Sequence, residues 1–168
     1  MLSIRQATDA DGAPLARLIA AVFAEYENCP FVPEEFPELA APATHYAARG
    51  GRLWVVRGED DGMLGSIAVA RHHRPDTAEL FKVYLSPALR GTGLSGRLLE
   101  TALDHAAGPM AARRVELWSD SRFTRGHAFY AKHGFVRMAG LRALHDVAET
   151  LELGFSRDLF SRSPGVLA

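Results

Sequence analysis

The chain has 168 residues, of which 48% are hydrophobic and 23% are charged. These proportions indicate one ordinary globular domain with a core of useful size. Nineteen Lys and Arg residues against 20 Asp and Glu residues leave a formal net charge of -1. Sequence-independent nucleic-acid binding requires a basic surface, so the charge balance argues against that class of protein.

The cysteine content and the apolar runs restrict the compartment and the cofactors. No apolar run approaches the roughly 20 residues of a membrane span, and the first residues lack the apolar core of a secretory signal. Cys29 is the one cysteine, which excludes an internal disulfide and a cysteine-based zinc cluster. We therefore expect a cytoplasmic protein that binds no metal, membrane or nucleic acid.

The charge is distributed unevenly along the chain. Residues 1 to 61 carry 10 acidic and 5 basic side chains, a formal charge of -5, whereas residues 62 to 168 carry 10 acidic and 14 basic ones, a formal charge of +4. Unequal halves are common among solvated surfaces. The alternative interpretation is that the two parts bind different ligands: residues 1–61 would bind a cation, and residues 62–168 would bind an anion.

Apolar periodicity in the first third of the chain predicts a strand, two helices and a loop between them. The predicted elements are a strand over residues 2–6, an amphipathic helix over 14–26, a packed loop over 27–37 and a helix over 38–49. Three prolines keep the loop from forming regular structure, and Gly50 and Gly51 end the second helix.

The remainder of the chain alternates between strands and helices. The predicted elements are strands over residues 52–57, 64–70 and 79–85, a helix over 94–106, a strand over 114–118, a helix over 124–133, and strands over 135–138 and 150–155. This order predicts one α/β domain of the α+β type over residues 1–160, followed by a tail over residues 161–168. The sheet should be mixed and mostly antiparallel, with helices on both faces. Residues 150–155 are expected to form an exposed edge strand that could pair two subunits in a homodimer.

A glycine-rich turn joins the third of these strands to the following helix. Successive backbone N–H groups there, together with the positive end of the helix dipole, form a site for a pyrophosphate. Arg90 and Arg97 could add charge-assisted contacts. The alternative is a plain strand-to-helix turn with capping glycines, since a glycine motif alone is weak evidence.

The same glycines also satisfy a dinucleotide-binding fingerprint. Gly91-x-Gly93-x-x-Gly96 is followed after twenty residues by Glu116, where a ribose-binding acid would be expected. Five residues separate the strand from the first glycine, however, and the upstream strands form a hairpin. A Rossmann fold is therefore the lesser alternative.

Two motifs together resemble the GNAT superfamily of acyl-CoA-dependent N-acetyltransferases. The first is Val83-Tyr84-Leu85-x-Pro87-x-x-Arg90-Gly91-x-Gly93-Leu94, which is similar to that family's pyrophosphate-binding stretch. The second is Ala128-Phe129-Tyr130-x-x-x-Gly134-Phe135, which is similar to its later helix-to-strand signature. The element order matches from about residue 2 to residue 155, so the resemblance implies a single-domain GNAT-like fold.

The resemblance implies a set of cofactor-binding residues for acetyl-CoA. Backbone groups of Val83, Tyr84 and Leu85 would meet the pantetheine arm. The pyrophosphate would be bound by Arg90, Gly91, Thr92, Gly93, Leu94, Ser95 and Gly96. The chain departs from the family at Ser95, where Gly or Ala is usual, and at Phe123, where many members have an Asn that contacts the cofactor arm.

Two residues are candidates for the catalytic acid and base. Glu79 lies on the strand that leads into the glycine-rich turn, where the family often has a base, and burial would raise its pKa usefully. Tyr130 would lie beside the thioester sulfur and donate a proton to the departing thiolate. Their structural alternatives are a strand carboxylate paired with an arginine and a core tyrosine.

The acceptor is predicted to be a small-molecule or peptide amine. Carboxylates of Glu34 and Glu35, with Tyr26, lie on the loop between the first two helices, where they would attract a cation; their other role is solvation of the loop. His72 ends a strand beside the predicted cleft and is a further substrate-binding candidate. The sequence thus predicts an N-acetyltransferase that acts by direct attack in a ternary complex. The alternative is a non-catalytic acyl-CoA-binding or sensing module on the same fold.

Overall fold

The computed structural model describes residues 2–59 and 62–160, and these form one seven-stranded sheet with four α-helices. The strands are β1 (Ser3–Gln6), β2 (Arg52–Arg57), β3 (Met63–Arg71), β4 (Thr77–Leu85), β5 (Arg114–Asp120), β6 (Val136–Ala143) and β7 (Leu151–Asp158). The helices are α1 (Gly12–Phe23), α2 (Pro42–Ala48), α3 (Leu94–Ala107) and α4 (Thr124–Lys132). The predicted order of elements is confirmed, and the tail predicted over residues 161–168 lies outside the described residues.

The sheet is mixed and mostly antiparallel, as predicted. Its strand order is β1-β2-β3-β4-β5-β7-β6, and the β4–β5 pair is the parallel one. The prediction that residues 150–155 form an edge strand is wrong, because β7 lies between β5 and β6 and bonds to both. The edges are β1 and β6.

Helices cover both faces of the sheet and form two apolar cores. On one face, α1 and α2 pack on the first strands through buried side chains such as Leu15, Ile19 and Tyr46. On the other face, α3 contributes Leu98 and Leu99 to a larger core. Tyr130 brings α4 into that same core. In the described part of the chain, no helix has the length and apolarity needed to cross a membrane.

The second helix is shorter than predicted, and a proline explains the difference. Residues 37–40 form a 3-10 turn, and α2 begins only at Pro42. The proline ring disfavours a helical conformation for the preceding residue, and Ala41 has φ -149° and ψ 69°. This break leaves the segment between α1 and α2 as a long connection along one side of the sheet.

The two parallel strands separate along their length. β4 pairs with β5 from Thr77 to Leu80, opposite residues 114–117, and neither the last five residues of β4 nor the last three of β5 continue the ladder. A bulge accompanies the separation, because Lys82 and Val83 together face one residue of β3, and Lys82 has φ 53°. The Ser66 hydroxyl donates a hydrogen bond of 2.6 Å to the Lys82 carbonyl at this bulge. The sheet is therefore open between β4 and β5.

Candidate active site

Two cavities meet where β4 and β5 separate. The Glu79 cavity, of about 280 Å³, contains Glu79 and lies between the α1–α2 connection, the strands and the β6–β7 loop. The Arg90 cavity, of about 200 Å³, contains Arg90 and lies between β4, the end of α1 and the start of α4. Five residues line both: Val83, Tyr84, Ser119, Phe123 and Tyr130. The opening in the sheet therefore connects the two cavities.

The glycine-rich turn has a backbone suited to an anion. Gly91 and Gly93 both have φ 75°, a conformation that favours glycine. A Cβ built on either would meet nothing within 4 Å, so the space beside these glycines is open to a ligand. Gly93 precedes the first turn of α3, where N–H groups have no partner within the helix.

The individual residues of the turn differ in their roles. Thr92 accepts a hydrogen bond of 3.2 Å from the Leu94 N–H, and Leu94 itself is buried in the core. Ser95 lines the Arg90 cavity, where its hydroxyl can meet a ligand. A Cβ on Gly96 would lie 3.3 Å from the His133 ring, so this glycine permits close approach of α3 to the end of α4. The fingerprint spacing thus combines anion binding with helix packing.

Phe123, where the resemblance implied an Asn, forms an aromatic wall with Tyr26 and Phe23. The Phe123 ring lies 4.9 Å from the Tyr26 ring and 5.6 Å from the Phe23 ring, measured between centroids. Tyr26 was predicted to bind the acceptor, but it lines the Arg90 cavity. The reason is that α1 ends at Phe23, and the following turn brings Tyr26 over the start of α4.

Tyr130 lies at the junction of the two cavities. It is 5% exposed, and its ring packs against Phe135 and Phe155 at centroid distances of 5.8 and 5.7 Å. Burial raises the pKa of the Tyr130 hydroxyl above its ordinary value. The hydroxyl therefore keeps its proton at neutral pH and can donate it within the junction.

Glu79 is a buried carboxylate in the wall of the larger cavity. It is 9% exposed, and burial raises its pKa above the ordinary value of 4.5, against the opposing charges of Arg142 and Arg49. The His72 Nε2 lies 3.9 Å from a Glu79 carboxylate oxygen, and burial lowers the pKa of this imidazole, which favours its neutral form. A carboxylate in this environment can accept a proton from a group in the cavity.

Three ion pairs at the wall of the Glu79 cavity were not predicted from the sequence. Arg142 of β6 contacts Glu152 of β7 at 2.6 Å. Arg122 contacts Asp120 at 2.5 Å. A third pair joins Lys82 to Glu38, a residue of the α1–α2 connection. Asp120 and Arg122 are near neighbours in the sequence, whereas Lys82 and Glu38 come from distant segments, and each of these residues looks like an ordinary solvated charge in the sequence.

The α1–α2 connection and the β6–β7 loop are joined across the Glu79 cavity. A carboxylate oxygen of Glu35 accepts a hydrogen bond of 2.8 Å from the Val147 N–H, and Glu35 lines the cavity. Glu34, predicted with it, is exposed and is not part of the lining. The 3-10 turn at Pro33–Glu35 directs the two neighbouring side chains apart. One of the two predicted loop carboxylates is thus at the cavity.

His72 and Glu116 lie behind the cavity and not in its lining. His72 Nε2 is 3.9 Å from both Glu79 and Glu116, and its Nδ1 accepts a hydrogen bond from the Arg74 N–H. Glu116 is fully buried and bonds to Arg74 and Arg114. The structure thus places His72 behind Glu79, and a substrate contact by His72 stays a prediction. The ribose-binding role that a Rossmann fold would give Glu116 is wrong, because its carboxylate is enclosed by arginines.

Other candidate chemistries find little support among residues 2–59 and 62–160. Within these ranges, no group of three or more His, Cys, Asp and Glu side chains could hold a metal ion. Cys29 is buried in the wall of the Glu79 cavity, and burial raises the pKa of its thiol. It is therefore a poor nucleophile.

A mixed sheet opened beside a glycine-rich helix start, with a buried tyrosine at the opening, defines an acyltransferase of the GNAT class. Residues 19–135 match the acetyltransferase (GNAT) family. The chain is 31% identical over 136 residues to the uncharacterized N-acetyltransferase YjgM of Escherichia coli K12, covering 79% of this chain and 80% of that protein. It is 32% identical over 146 residues to the N-alpha-acetyltransferase RimI of Mycobacterium tuberculosis H37Rv, covering 84% and 82%.

A solved structure extends the similarity to the whole fold. The acetyltransferase yncA of Salmonella typhimurium, solved with acetyl-CoA, superimposes with a TM-score of 0.71 at 20% identity, over 99% of each chain. The protein belongs to the GNAT acetyltransferase family and is an N-acetyltransferase.

Proposed function

We propose that the protein transfers the acetyl group of acetyl-CoA to a primary amine, by direct attack within a ternary complex. The observation that carries this proposal is the junction of the two cavities at Val83, Tyr84 and Tyr130. One cavity leads to the anion-binding turn and the other to a buried carboxylate. Two substrates entering from opposite sides would therefore meet at the opening in the sheet.

The Arg90 cavity fits acetyl-CoA, which supplies an activated acetyl thioester. The pyrophosphate binds beside Gly91 and Gly93, where Arg90 adds positive charge. The pantetheine arm follows β4 from Ser86 toward Val83. Support comes from the open space at these glycines and from the acetyl-CoA found in the similar yncA structure.

The Glu79 cavity binds the amine and removes its proton. An alkylammonium with a pKa of about 10.4 is deprotonated at pH 7 only at a cost of about 4.6 kcal/mol. Glu79 accepts that proton, directly or through water, and its raised pKa makes it a stronger base than an exposed glutamate. The free nitrogen can then attack the acetyl carbonyl.

The transfer forms a C–N bond and breaks the C–S bond. A backbone N–H near Leu85 stabilises the negative charge that develops on the acetyl oxygen. Tyr130 donates its proton to the departing sulfur, and a second proton from the acylated nitrogen restores the tyrosine. One net proton therefore leaves for each turnover, through Glu79.

The acceptor is a cationic small-molecule or peptide amine. Lys82, Arg122 and Arg142 line the Glu79 cavity, but each has a carboxylate partner. Glu79 and Glu35 also carry negative charge, and neither belongs to one of these three ion pairs. The wall therefore has an excess of negative charge, which attracts an ammonium group.

The test is release of the CoA thiol from acetyl-CoA in the presence of a panel of amines and peptides. We expect release with at least one cationic amine, together with formation of the acetylated amine. Both substrates should be needed at once, giving intersecting initial-rate plots. Binding of CoA with no release for any acceptor would instead indicate a sensing module and would overturn the proposal.

A further inference from the structure

The Arg90 cavity contains a carboxylate among the groups proposed to bind phosphate. One oxygen of Glu25 lies 3.3 Å from an Arg90 guanidinium nitrogen and 3.0 Å from an Arg125 guanidinium nitrogen. All three side chains line the cavity. No step of the proposed transfer uses Glu25, although it sits where an anionic cosubstrate would seek positive charge.

The two arginines come from the elements that frame the anion-binding turn. Arg90 directly precedes Gly91, and Arg125 lies in the first turn of α4. Both guanidinium groups are more than half exposed, with 56% and 63% of the side-chain surface accessible. They are therefore not structural partners held in a core, and a ligand can reach them.

Glu25 is held in a way that allows its side chain to leave. Its backbone is fixed by a turn after α1, where its N–H donates to the Val22 carbonyl at 3.1 Å. The side chain itself is 30% exposed, and its contacts with the arginines are the polar contacts seen for it. Rotation about its side-chain bonds would release the carboxylate to solvent without moving α1.

We infer that Glu25 is an internal competitor for the cosubstrate phosphates. In the free protein its carboxylate occupies Arg90 and Arg125, and a phosphate group of CoA displaces it on binding. This inference rests on the proposed function, because it assumes that CoA enters the Arg90 cavity. Glu25 thereby sets the affinity for the cosubstrate and favours ligands with enough negative charge to displace a carboxylate.

The competition lowers cosubstrate affinity for two reasons. Binding must first break two exposed ion pairs, and exposed pairs of this kind are only weakly stabilising. The displaced carboxylate also stays near the bound phosphates and repels them. Removing its charge should therefore tighten CoA binding, whereas removal of an ordinary cofactor-binding residue would weaken it.

The experiment compares Glu25→Gln with the wild-type protein and with a matched control. Glu27→Gln changes an exposed glutamate two residues away that lines neither cavity. The dissociation constants of CoA and of pantetheine, which has no phosphate, are measured by calorimetry at low and high salt. We expect Glu25→Gln to bind CoA about threefold to tenfold more tightly at low salt. Pantetheine binding, and CoA binding by Glu27→Gln, should match the wild-type values.

The outcomes separate this inference from the proposed function. If the wild-type protein binds CoA and Glu25→Gln binds it equally or more weakly, the inference is wrong and the proposed function stands. Equal tightening for pantetheine would show a steric effect and would also overturn it. If the wild-type protein does not bind CoA, both fail. Glu25→Ala provides a second variant, because an amide could still accept bonds from the arginines, and salt should reduce the gain in both variants.

Discussion

The two cavities differ in how the chain builds them. One continuous stretch, residues 83–95, supplies six of the fifteen residues that line the Arg90 cavity, and the others come from the end of α1, from β5 and from α4 with the residue before it. The Glu79 cavity draws on the α1–α2 connection, β4, β5 with the segment after it, and the β6–β7 hairpin, with Phe23 of α1 and Tyr130 of α4. A local motif contributes the largest single part of the first cavity, whereas no one segment dominates the second.

If the proposed function is correct, this difference predicts that relatives share the cosubstrate cavity and differ in the acceptor cavity. A strand, a turn and a helix N-terminus recreate an anion site wherever the same local sequence occurs. Loops joined by single contacts, such as Glu35 with Val147, can change length or sequence without disturbing that site. Acetyl-CoA use is therefore the property that relatives should share, and acceptor identity the property that should vary.

The charge division of the sequence does not map onto the two cavities as predicted. The carboxylates that line the Glu79 cavity are Glu35, Glu79, Asp120, Asp146 and Glu152. Four of these come from the part of the chain with the positive formal charge, and Glu25, from the negative part, contacts the arginines of the other cavity. The net charge of a sequence segment therefore does not predict the charge of a cavity whose wall is assembled from several segments.

Tyr130→Phe is expected to have the largest effect, because both cavities depend on the junction. The ring should keep its packing against Phe135 and Phe155, while the proton donor is lost. A positioned general acid contributes about 10²–10⁴ in rate. We expect kcat to fall by about that factor with little change in the KM for acetyl-CoA, measured by thiol release. A variant with wild-type kcat would remove Tyr130 from the chemistry.

Glu79→Gln removes the Glu79 carboxylate from the Glu79 cavity and leaves the Arg90 cavity unchanged. For the wild-type protein, kcat/KM for the amine should rise with pH through the raised pKa of Glu79, because only the carboxylate accepts a proton. The variant should lose about 10² in kcat/KM near neutral pH, and the rise attributed to Glu79 should vanish. CoA affinity should be unchanged. Glu34→Gln is the control, since that glutamate is exposed and outside the cavity lining. If the pH profile persists in Glu79→Gln, a different group is the base.

Gly93→Ala changes the glycine-rich turn next to the Arg90 cavity and leaves the Glu79 cavity intact. A residue with a Cβ is strained at φ 75° by about 1–2 kcal/mol, and the methyl group would enter the space proposed for phosphate. We expect the KM for acetyl-CoA to rise about tenfold while the KM for the amine stays constant. Gly140→Ala is a matched control: it has φ 87° and open space around it, but lies on β6 outside both cavities. Equal effects of the two substitutions would show that strain alone is responsible.

The contrast between the cavities also explains what the sequence could predict. Apolar periodicity is local, so the order of all eleven strands and α-helices was predictable, and α3 begins at the predicted residue, Leu94. The motif residues Val83 to Leu85, Arg90 and Ser95 do line one cavity. Glu79 could be proposed from its distance to the first motif and Tyr130 from its place within the second, and the structure puts both residues in the cavity lining.

The remaining residues of the site could not be predicted from local patterns. Arg142 and Glu152 alternate with apolar residues on β6 and β7, a pattern typical of a solvated strand face. They reach the cavity because β7 inserts between β5 and β6, a pairing over long sequence separation. The surroundings of Tyr26 and His72 could not be predicted either, because a residue's position in the chain does not show which element it faces.

Glu35→Ala should have the smallest effect and acts on the connection between two loops. The substitution removes the acceptor of the 2.8 Å bond from the Val147 N–H. A typical hydrogen bond contributes roughly 0.5–1.5 kcal/mol, so the KM for the amine should rise about twofold to tenfold, with acetyl-CoA kinetics unchanged. Glu35→Gln keeps an oxygen acceptor and should restore most of the wild-type KM, which separates loop positioning from attraction of the amine by charge. If Glu35→Gln is as impaired as Glu35→Ala, the carboxylate acts through its charge. If Glu34→Ala has the same effect as Glu35→Ala, the loop contact has no specific role in acceptor binding.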